Sequence, residues 1–250
     1  MREMPIYASY AALYEPTGQH AFALLTAAHL PSVLERHPVA GRRLLDLACG
    51  TGALAIALAR TGWQGLGVDR SAAMLRIARA HVGDLAVRFV QADMRQPPVA
   101  PGHFDLVTCT YDSLNYLRSE RDLVALCKSA AAALAPGGLL YVDANTRHFL
   151  AQRWPALEII EPDDDLLVLR ATFDPVYDTL TVRMTGFVAE AGGGYRRFEE
   201  VHVERAFDDT MIVAAAAQAG LRVVGFYDGF SFTAPHATSD RIVWLLRNEG

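Results

Sequence analysis

Three carboxylates each close a short apolar run: Asp46 in Leu44-Leu45-Asp46-Leu47, Asp69 in Gly65-Leu66-Gly67-Val68-Asp69, and Asp93 in Val87-Arg88-Phe89-Val90-Gln91-Ala92-Asp93. Behind the first stands Ala48-Cys49-Gly50-Thr51-Gly52, then an apolar helical stretch from Ala53 to Arg60. A tight glycine turn between strand and helix brings backbone N–H groups against a ligand, and glycines without a Cβ let it approach closely. Gly50-Thr51-Gly52-Ala53-Leu54-Ala55 also fits the dinucleotide pattern G-x-G-x-x-A. Asp46 argues for a different guest. A carboxylate at the end of that strand suits a cationic ligand group better than a pyrophosphate.

Asp69 lies 17 residues after Gly52, a distance from which an acid reaches both hydroxyls of an adenosine ribose. A solvated strand-end residue or a helix cap is the plainer reading, but Ser71 is the better cap for the helix Ala72 to His81. Asp93 can accept from the exocyclic amine of adenine while the Met94 N–H donates to a ring nitrogen. A dinucleotide fold does not require an acid there, so Asp93 tips the balance.

Presenting these acids side by side takes parallel strands. Strands are predicted over Arg42–Leu47, Gly65–Arg70, Val87–Met94, Phe104–Tyr111 and Leu139–Ala144, with helices between them, one running from Ser119 to Pro136-Gly137-Gly138. Four strand–helix units of common polarity imply an α/β fold with right-handed crossovers. Ligands of such sheets bind beyond the carboxyl ends of the strands, so the loop Asp112-Ser113-Leu114-Asn115-Tyr116-Leu117 should face a substrate. Ahead of the sheet, Tyr7, Tyr10 and Tyr14 are spaced as on one or two turns of a helix. Either the rings pack on the core or they form a lid with a phenol as donor. His20–Arg36 reads as a second helix.

From Leu166 the period changes to two. Leu180, Val182 and Met184 alternate with polar neighbours, Leu167–Phe173 and Phe198–Arg205 do so less cleanly, and Gly192-Gly193-Gly194 reads as a hairpin loop. Residues 154–207 are therefore expected to be a small antiparallel insert, between N-terminal helices with a cofactor-binding core (1–153) and a C-terminal completion of the sheet (208–250). That last part holds a helix from Asp208 to Gly220 and strands at Leu221–Asp228 and Arg241–Leu246.

Composition narrows the function classes. A chain of 250 residues with 52% hydrophobic residues can bury a large core. Its 23 basic and 28 acidic residues give a net charge of −5, and Lys128 is the only lysine, which argues against a dedicated nucleic-acid surface. Cys49, Cys109 and Cys127 are scattered, without a C-x-x-C pair, a reduced cytosolic pattern with no zinc signature. Met1-Arg2-Glu3-Met4-Pro5 lacks the apolar stretch of a secretory signal, and the run Ala130–Ala135 is far too short to span a membrane.

Taken together, Asp46-Leu47-Ala48-Cys49-Gly50-Thr51-Gly52, Gly67-Val68-Asp69, Gln91-Ala92-Asp93-Met94, Phe104-Asp105-Leu106-Val107-Thr108 and Leu134-Ala135-Pro136-Gly137-Gly138 resemble the motifs of class I S-adenosylmethionine-dependent methyltransferases, over residues 42 to about 145. The opening tyrosines and Tyr111–Leu117 look like a bacterial subgroup acting on small molecules. The resemblance implies a Rossmann-like seven-stranded, mostly parallel sheet, its last strand antiparallel, with helices on both faces and the antiparallel insert as a substrate cap. It implies S-adenosyl-L-methionine as cofactor, with S-adenosylhomocysteine as product. Asp46 and the Ala48–Cys49–Gly50 backbone, ahead of Gly52, would hold the methionine end, Asp69 beside Arg70 the ribose, and Asp93 with Met94 the adenine. Tyr14 and Tyr7 would cover the sulfonium, and Thr110 completes the cofactor side. Tyr111, Asn115, His148 and His202 are the substrate-side candidates. The partner would be a small-molecule methyl acceptor rather than a membrane or a nucleic acid, with monomer and homodimer both open.

Methyl transfer is an in-line displacement in which positioning does most of the work. A hydroxyl acceptor needs a general base, and His20, His148, His202 and His236 are the candidates. For each, a structural histidine is the plainer reading, so none is assigned. Asp112, Asp143 and Asn145 could supply oxygen ligands to a magnesium ion, but Ala144 is taken to set Asp143 and Asn145 on opposite faces, and no metal is expected. A nicotinamide-dependent oxidoreductase would satisfy the glycine turn, yet no Tyr-x-x-x-Lys pair is evident. A non-catalytic cofactor-binding protein fits less well with all three acids in place.

Overall fold

The computed structural model describes residues 6–250, so the Met1–Pro5 stretch read above for a leader lies outside the described residues. The centre of the fold is β1 (Arg43–Leu47), in which Leu44, Leu45 and Leu47 have no exposed surface. Both faces of β1 are covered, which is why leucines fall on both rather than alternating with solvent-facing residues. Leu44 packs into a layer containing α2 (Ala21–Arg36), α3 (Ala53–Ala59) and α4 (Ala72–His81). Leu45 and Leu47 pack into the opposite layer, against α5 (Glu120–Ala133) and α6 (Asp209–Gln218).

Around β1 stand β2 (Gln64–Asp69), β3 (Val87–Gln91), β4 (Phe104–Cys109), β5 (Leu134–Asn145), β10 (Leu221–Asp228) and β11 (Arg241–Asn248), in the order β10-β11-β5-β4-β1-β2-β3. β11 is antiparallel to both β5 and β10, and the remaining pairings are parallel. The expected seven-stranded, mostly parallel sheet is therefore present. The chain builds outward through β2 and β3, then returns to the other side of β1 for β4 and β5. That reversal opens a crevice between the carboxyl ends of β1 and β4, where ligands of open α/β sheets bind.

A second sheet of four antiparallel strands follows, β6 (Leu157–Ile160), β7 (Leu166–Asp174), β8 (Thr179–Ala189) and β9 (Tyr195–Arg205). Its apolar face, including Leu167, Leu180, Val182 and Phe198, packs on Tyr10 and Leu13 of the N-terminal segment. β6 was not anticipated. Its Leu157 and Ile159 are exposed, on the edge of the sheet, and leave no core-facing pattern to read.

Two other elements depart from expectation. Only Ala11–Tyr14 of the opening segment is helical (α1), and Tyr7 adopts a left-handed φ of +58°. Further on, α5 stops at Ala133 and β5 begins at once, before Pro136-Gly137-Gly138. The register to β4 jumps from Phe104↔Leu134 to Leu106↔Leu139, so the proline and glycines sit in a bulge where the ladder is interrupted. No helix among the described residues is long and apolar enough to cross a membrane.

Candidate functional site

The crevice is a cleft of about 520 Å³, within the ~300–1,000 Å³ typical of small-ligand sites. The core lines it with Asp46, Ala48, Cys49, Gly50, Asp69, Arg70, Asp93, Met94 and Thr110. Tyr7 and Tyr14 come from the N-terminal segment, Tyr111 and Tyr116 from the loop after β4, and Val201 and Val203 from β9.

Asp46 is 2% exposed. Its Oδ1 accepts from the Thr108 hydroxyl at 2.7 Å, whereas Oδ2 is buried without a hydrogen-bond partner among the described residues. Burial pushes this carboxyl up to about 7; the Thr108 hydroxyl opposes the shift and the charge of Asp69 adds to it. An unpaired buried carboxylate oxygen is costly unless a ligand completes it. Its chemistry calls for a cationic donor.

The turn beyond β1 is bent sharply. Ala48 has φ +56° and Gly52 φ +75°. A Cβ on Gly52 would come within 2.5 Å of the Phe89 ring, so this glycine meets both a conformational and a packing demand. Gly52 is a wall behind the turn rather than a residue of the cleft surface. Gly50 N–H donates to Asp69 Oδ2 at 2.9 Å and Ser71 N–H to Oδ1 at 2.7 Å. Burial raises the Asp69 carboxyl, partly offset by these two donors. Asp69 thus ties the glycine turn to the next strand and still has acceptor capacity toward the cleft.

Asp93 is more heavily engaged than expected. Arg95 grips both its oxygens, at 3.0 Å from Nε and 2.7 Å from Nη2, and also reaches Asp122. Arg95 holds the Asp93 carboxyl below its ordinary value. An adenine amine would have to share this carboxylate with a guanidinium.

The N-terminal segment is fastened by one side chain of the insert. Glu200 on β9 accepts N–H groups from Tyr7 at 2.7 Å, Ser9 at 2.5 Å and Tyr10 at 2.9 Å. From the core, the Ser71 hydroxyl donates to the Tyr7 carbonyl at 2.8 Å. These bonds explain why the tyrosine segment is helical only in α1: a distant carboxylate takes the N–H groups ahead of it and turns the backbone. The rings of Tyr7, Tyr10 and Tyr14 pack on one another, with Tyr7 and Tyr14 also facing the cleft.

Three substrate-side candidates lie off the cleft wall. Asn115 is fully buried, its amide donating to the Asn145 and Arg205 carbonyls and its oxygen accepting from Asn145 N–H. It joins core to insert. His148 faces Asp240 at 4.0 Å. His202 is 1% exposed and sits behind Tyr116, with Nδ1 2.9 Å from that phenol oxygen. Tyr111 does line the cleft, stacked on Phe22.

The faces of Asp143 and Asn145 need correction. Residues two apart on a strand share a face, and on β5 both side chains turn to Arg241, which bonds Asp143 Oδ1 and, at 2.6 Å, Asn145 Oδ1. Asn145 also donates to Asp112 at 3.3 Å and Glu204 at 3.1 Å. A guanidinium therefore fills the place weighed for a magnesium ion. Asp143 further accepts from the N–H groups of Tyr111 and Asp112, both at left-handed φ, which pins the loop after β4. Burial, then the Glu204 charge, raises the Asp112 carboxyl, and burial raises that of Glu204.

Sequence reasoning missed Thr108, Ser71, Arg95, Arg241 and Tyr116 as site residues. Thr108 stood in the Phe104–Thr108 motif, Ser71 as a helix cap and Tyr116 in the polar loop after the fourth strand, each without a site role of its own. The others act through partners distant in sequence or through bonds to neighbours that no motif records.

Residues 44–138 match the family model described as "Methyltransferase domain". The chain is 31% identical over 242 residues to the Bacillus subtilis protein "Putative methyltransferase YqeM", covering 95% of each. The crystal structure of an S-adenosylmethionine-dependent methyltransferase from Clostridium acetobutylicum superposes with a TM-score of 0.84 at 25% identity, over 97% of this chain and 98% of that one. An S-adenosylmethionine-bound amino pentose methyltransferase from Micromonospora echinaspora, involved in calicheamicin biosynthesis, gives a TM-score of 0.69 at 25% identity, over 99% of this chain and 100% of that one.

Proposed function

Since the chain belongs to the class I S-adenosylmethionine-dependent methyltransferases, we propose that its cleft holds that cofactor with the methionine end on Asp46 and transfers the methyl group to nitrogen or oxygen of a small molecule. The observation that carries the assignment is Asp46 Oδ2, a buried acceptor without a partner among the described residues, beside a strained glycine turn. An α-ammonium group completes that oxygen; a pyrophosphate would be repelled. Asp69 takes the ribose hydroxyls, and Met94 with Asp93 the adenine edge. Ala48, Cys49 and Gly50 form the floor, while Arg70 and Thr110 flank it.

When bound, the cofactor supplies a methyl group activated by positive sulfur. The chain's part is to align and to keep out water, which in favourable cases is worth ~7–11 kcal/mol. Tyr7 and Tyr14 close the cleft from the N-terminal segment, Tyr111 from the loop after β4, and Val201 and Val203 roof it from the insert. Residues 154–207 thus serve as a substrate cap on the core of 1–153 and 208–250. The reading extends to the cytosol, supported by three free cysteines, and to acceptors other than nucleic acid, supported by the net charge of −5.

Thermal unfolding with S-adenosylhomocysteine, compared with NAD(H), tests the assignment. At about 100 times its dissociation constant the true ligand adds ~2.7 kcal/mol of stability. S-adenosylhomocysteine is expected to give that shift and NAD(H) none, and Asp69→Ala to lose most of it. A shift with NAD(H) alone, or one that Asp69→Ala leaves whole, contradicts it.

A further inference from the structure

Behind the acceptor side of the cleft, four side chains form one hydrogen-bonded line. Tyr7 Oη lies 2.8 Å from Tyr116 Oη, Tyr116 Oη 2.9 Å from His202 Nδ1, and His202 Nε2 3.1 Å from Glu200 Oε2. The far end is sealed, since the His202 and Glu200 side chains are each 1% exposed. The near end is open, because both phenols line the cleft. Most side-chain hydrogen bonds in proteins go to backbone or water, so a run of three between side chains, leading from a ligand cleft to a buried histidine, is not what packing alone requires.

The polarity of the line is fixed at Glu200. Burial raises its carboxyl, but the His202 bond and the N–H groups of Tyr10 and Ser9 outweigh this and hold it below its ordinary value. With Glu200 accepting from His202 Nε2, the neutral ring has Nδ1 free to accept from the Tyr116 hydroxyl. Tyr7 and Tyr10 meet the imidazole edge-on, with ring centres at 4.7 and 6.1 Å. The charges of Glu204 and Asp112 add to burial in disfavouring ionisation of Tyr116.

We propose that Tyr7, Tyr116, His202 and Glu200 are the proton relay for an acceptor hydroxyl, with His202 Nδ1 as the proton's destination, from which it returns through the same phenols to the cleft once the products leave. The inference rests on the methyl-transfer reading. As the oxygen–methyl bond forms and the methyl–sulfur bond breaks, its electron pair staying on sulfur, the hydroxyl proton moves to the phenol oxygen it meets. Each phenol passes on its own proton as it gains one, and Tyr116 delivers the last to His202. The imidazolium so formed faces the Glu200 carboxylate. Burial keeps both phenols far from ionising, so they conduct the proton rather than hold it. A hydroxyl needs such an outlet in the transition state, whereas a neutral amine attacks without one.

Two measurements on the full chain test this. Nitrogen NMR of histidine-labelled protein bound to S-adenosylhomocysteine reports the state of His202. A ring carrying its proton on Nε2, with Nδ1 accepting, is expected. A permanent imidazolium, or a proton on Nδ1, overturns the proposal. Binding of S-adenosylhomocysteine in this sample also shows that the methyl-transfer reading stands independently, and failure to bind would count against that reading instead. The second measurement follows labelled methyl transfer from S-adenosylmethionine to catechol as probe acceptor, across pH. His202→Gln and Tyr116→Phe are expected to lower kcat by about 100-fold or more and to abolish the rising limb of the pH profile, with KM for the cofactor unchanged. Wild-type kcat and an unchanged profile in both variants overturn the proposal, as does a wild type that binds the cofactor product yet leaves catechol unmethylated.

Discussion

At the scale of single residues, Asp46 sets how the cleft responds to pH. Without ligand its carboxyl is pushed up to about 7 by burial, and an ammonium group beside Oδ2 favours the ionised form and pulls that value down. Binding therefore releases a proton at pH values between the two, and affinity falls as pH drops below about 7. Titration calorimetry with S-adenosylhomocysteine in buffers of different ionisation heat should show this release. Asp46→Asn should abolish it and weaken binding by roughly 10–100-fold, the worth of a charged hydrogen bond. A variant with the same proton release would clear Asp46 of the role. Asp46, Asp69 and the glycine turn were legible in the sequence because each stands at the carboxyl end of an apolar run, at a spacing that a strand–turn–helix–strand unit sets. The grip of Arg95 on Asp93 was not, because a guanidinium two residues away announces nothing until the backbone turns it back. His202 was legible as a chemical group but not as one hidden behind Tyr116, since β-alternation assigns residues to two faces without saying which face meets the ligand.

At the scale of elements, the N-terminal segment is held between insert and core by the Glu200 carboxylate and the Ser71 hydroxyl. Removing Glu200 strands three N–H groups. Glu200→Ala is expected to cost ~1–3 kcal/mol and to expose the segment ahead of α1 to limited proteolysis. Unchanged stability and protection would mean that the segment is held by its rings instead. The one or two helical turns expected of the tyrosine segment shrink to α1 for this reason: spacing reads local preference, and the bonds that bend the chain ahead of α1 come from almost two hundred residues away. The parallel strands were readable because burial leaves short leucine-, valine- and phenylalanine-rich segments bounded by turn residues. The bulge at Pro136-Gly137-Gly138 was read as a helix end because the same residues serve both purposes.

At the scale of the whole molecule, several carboxyls are buried where core, insert and cofactor cleft meet. Asp46, Asp112 and Glu204 all stand above their ordinary values, with burial the largest cause in each. For a carboxyl raised on folding, the folded chain keeps a proton that the unfolded chain loses, so stability falls as pH climbs from the unfolded value to the folded one. Asp93 and Asp105 work oppositely: Arg95 and Arg43 hold them low, and their contribution is lost in acid. The Tm of the ligand-free protein should therefore decline between about pH 5 and pH 7, and Asp46→Asn should flatten part of that decline. A Tm rising through this window would contradict the buried-carboxyl account. The seven-stranded, mostly parallel sheet was legible from family-like motifs, but this charged junction was not, since Asp112, Asp143, Glu204 and Arg241 come from four separate stretches of chain. The most direct measurement is a crystal structure with S-adenosylhomocysteine bound. The amine is expected within ~2.7–3.2 Å of Asp46 Oδ2, with the ribose hydroxyls on Asp69. A nucleoside seated elsewhere, or an Asp46 side chain turned away from it, would contradict the assignment.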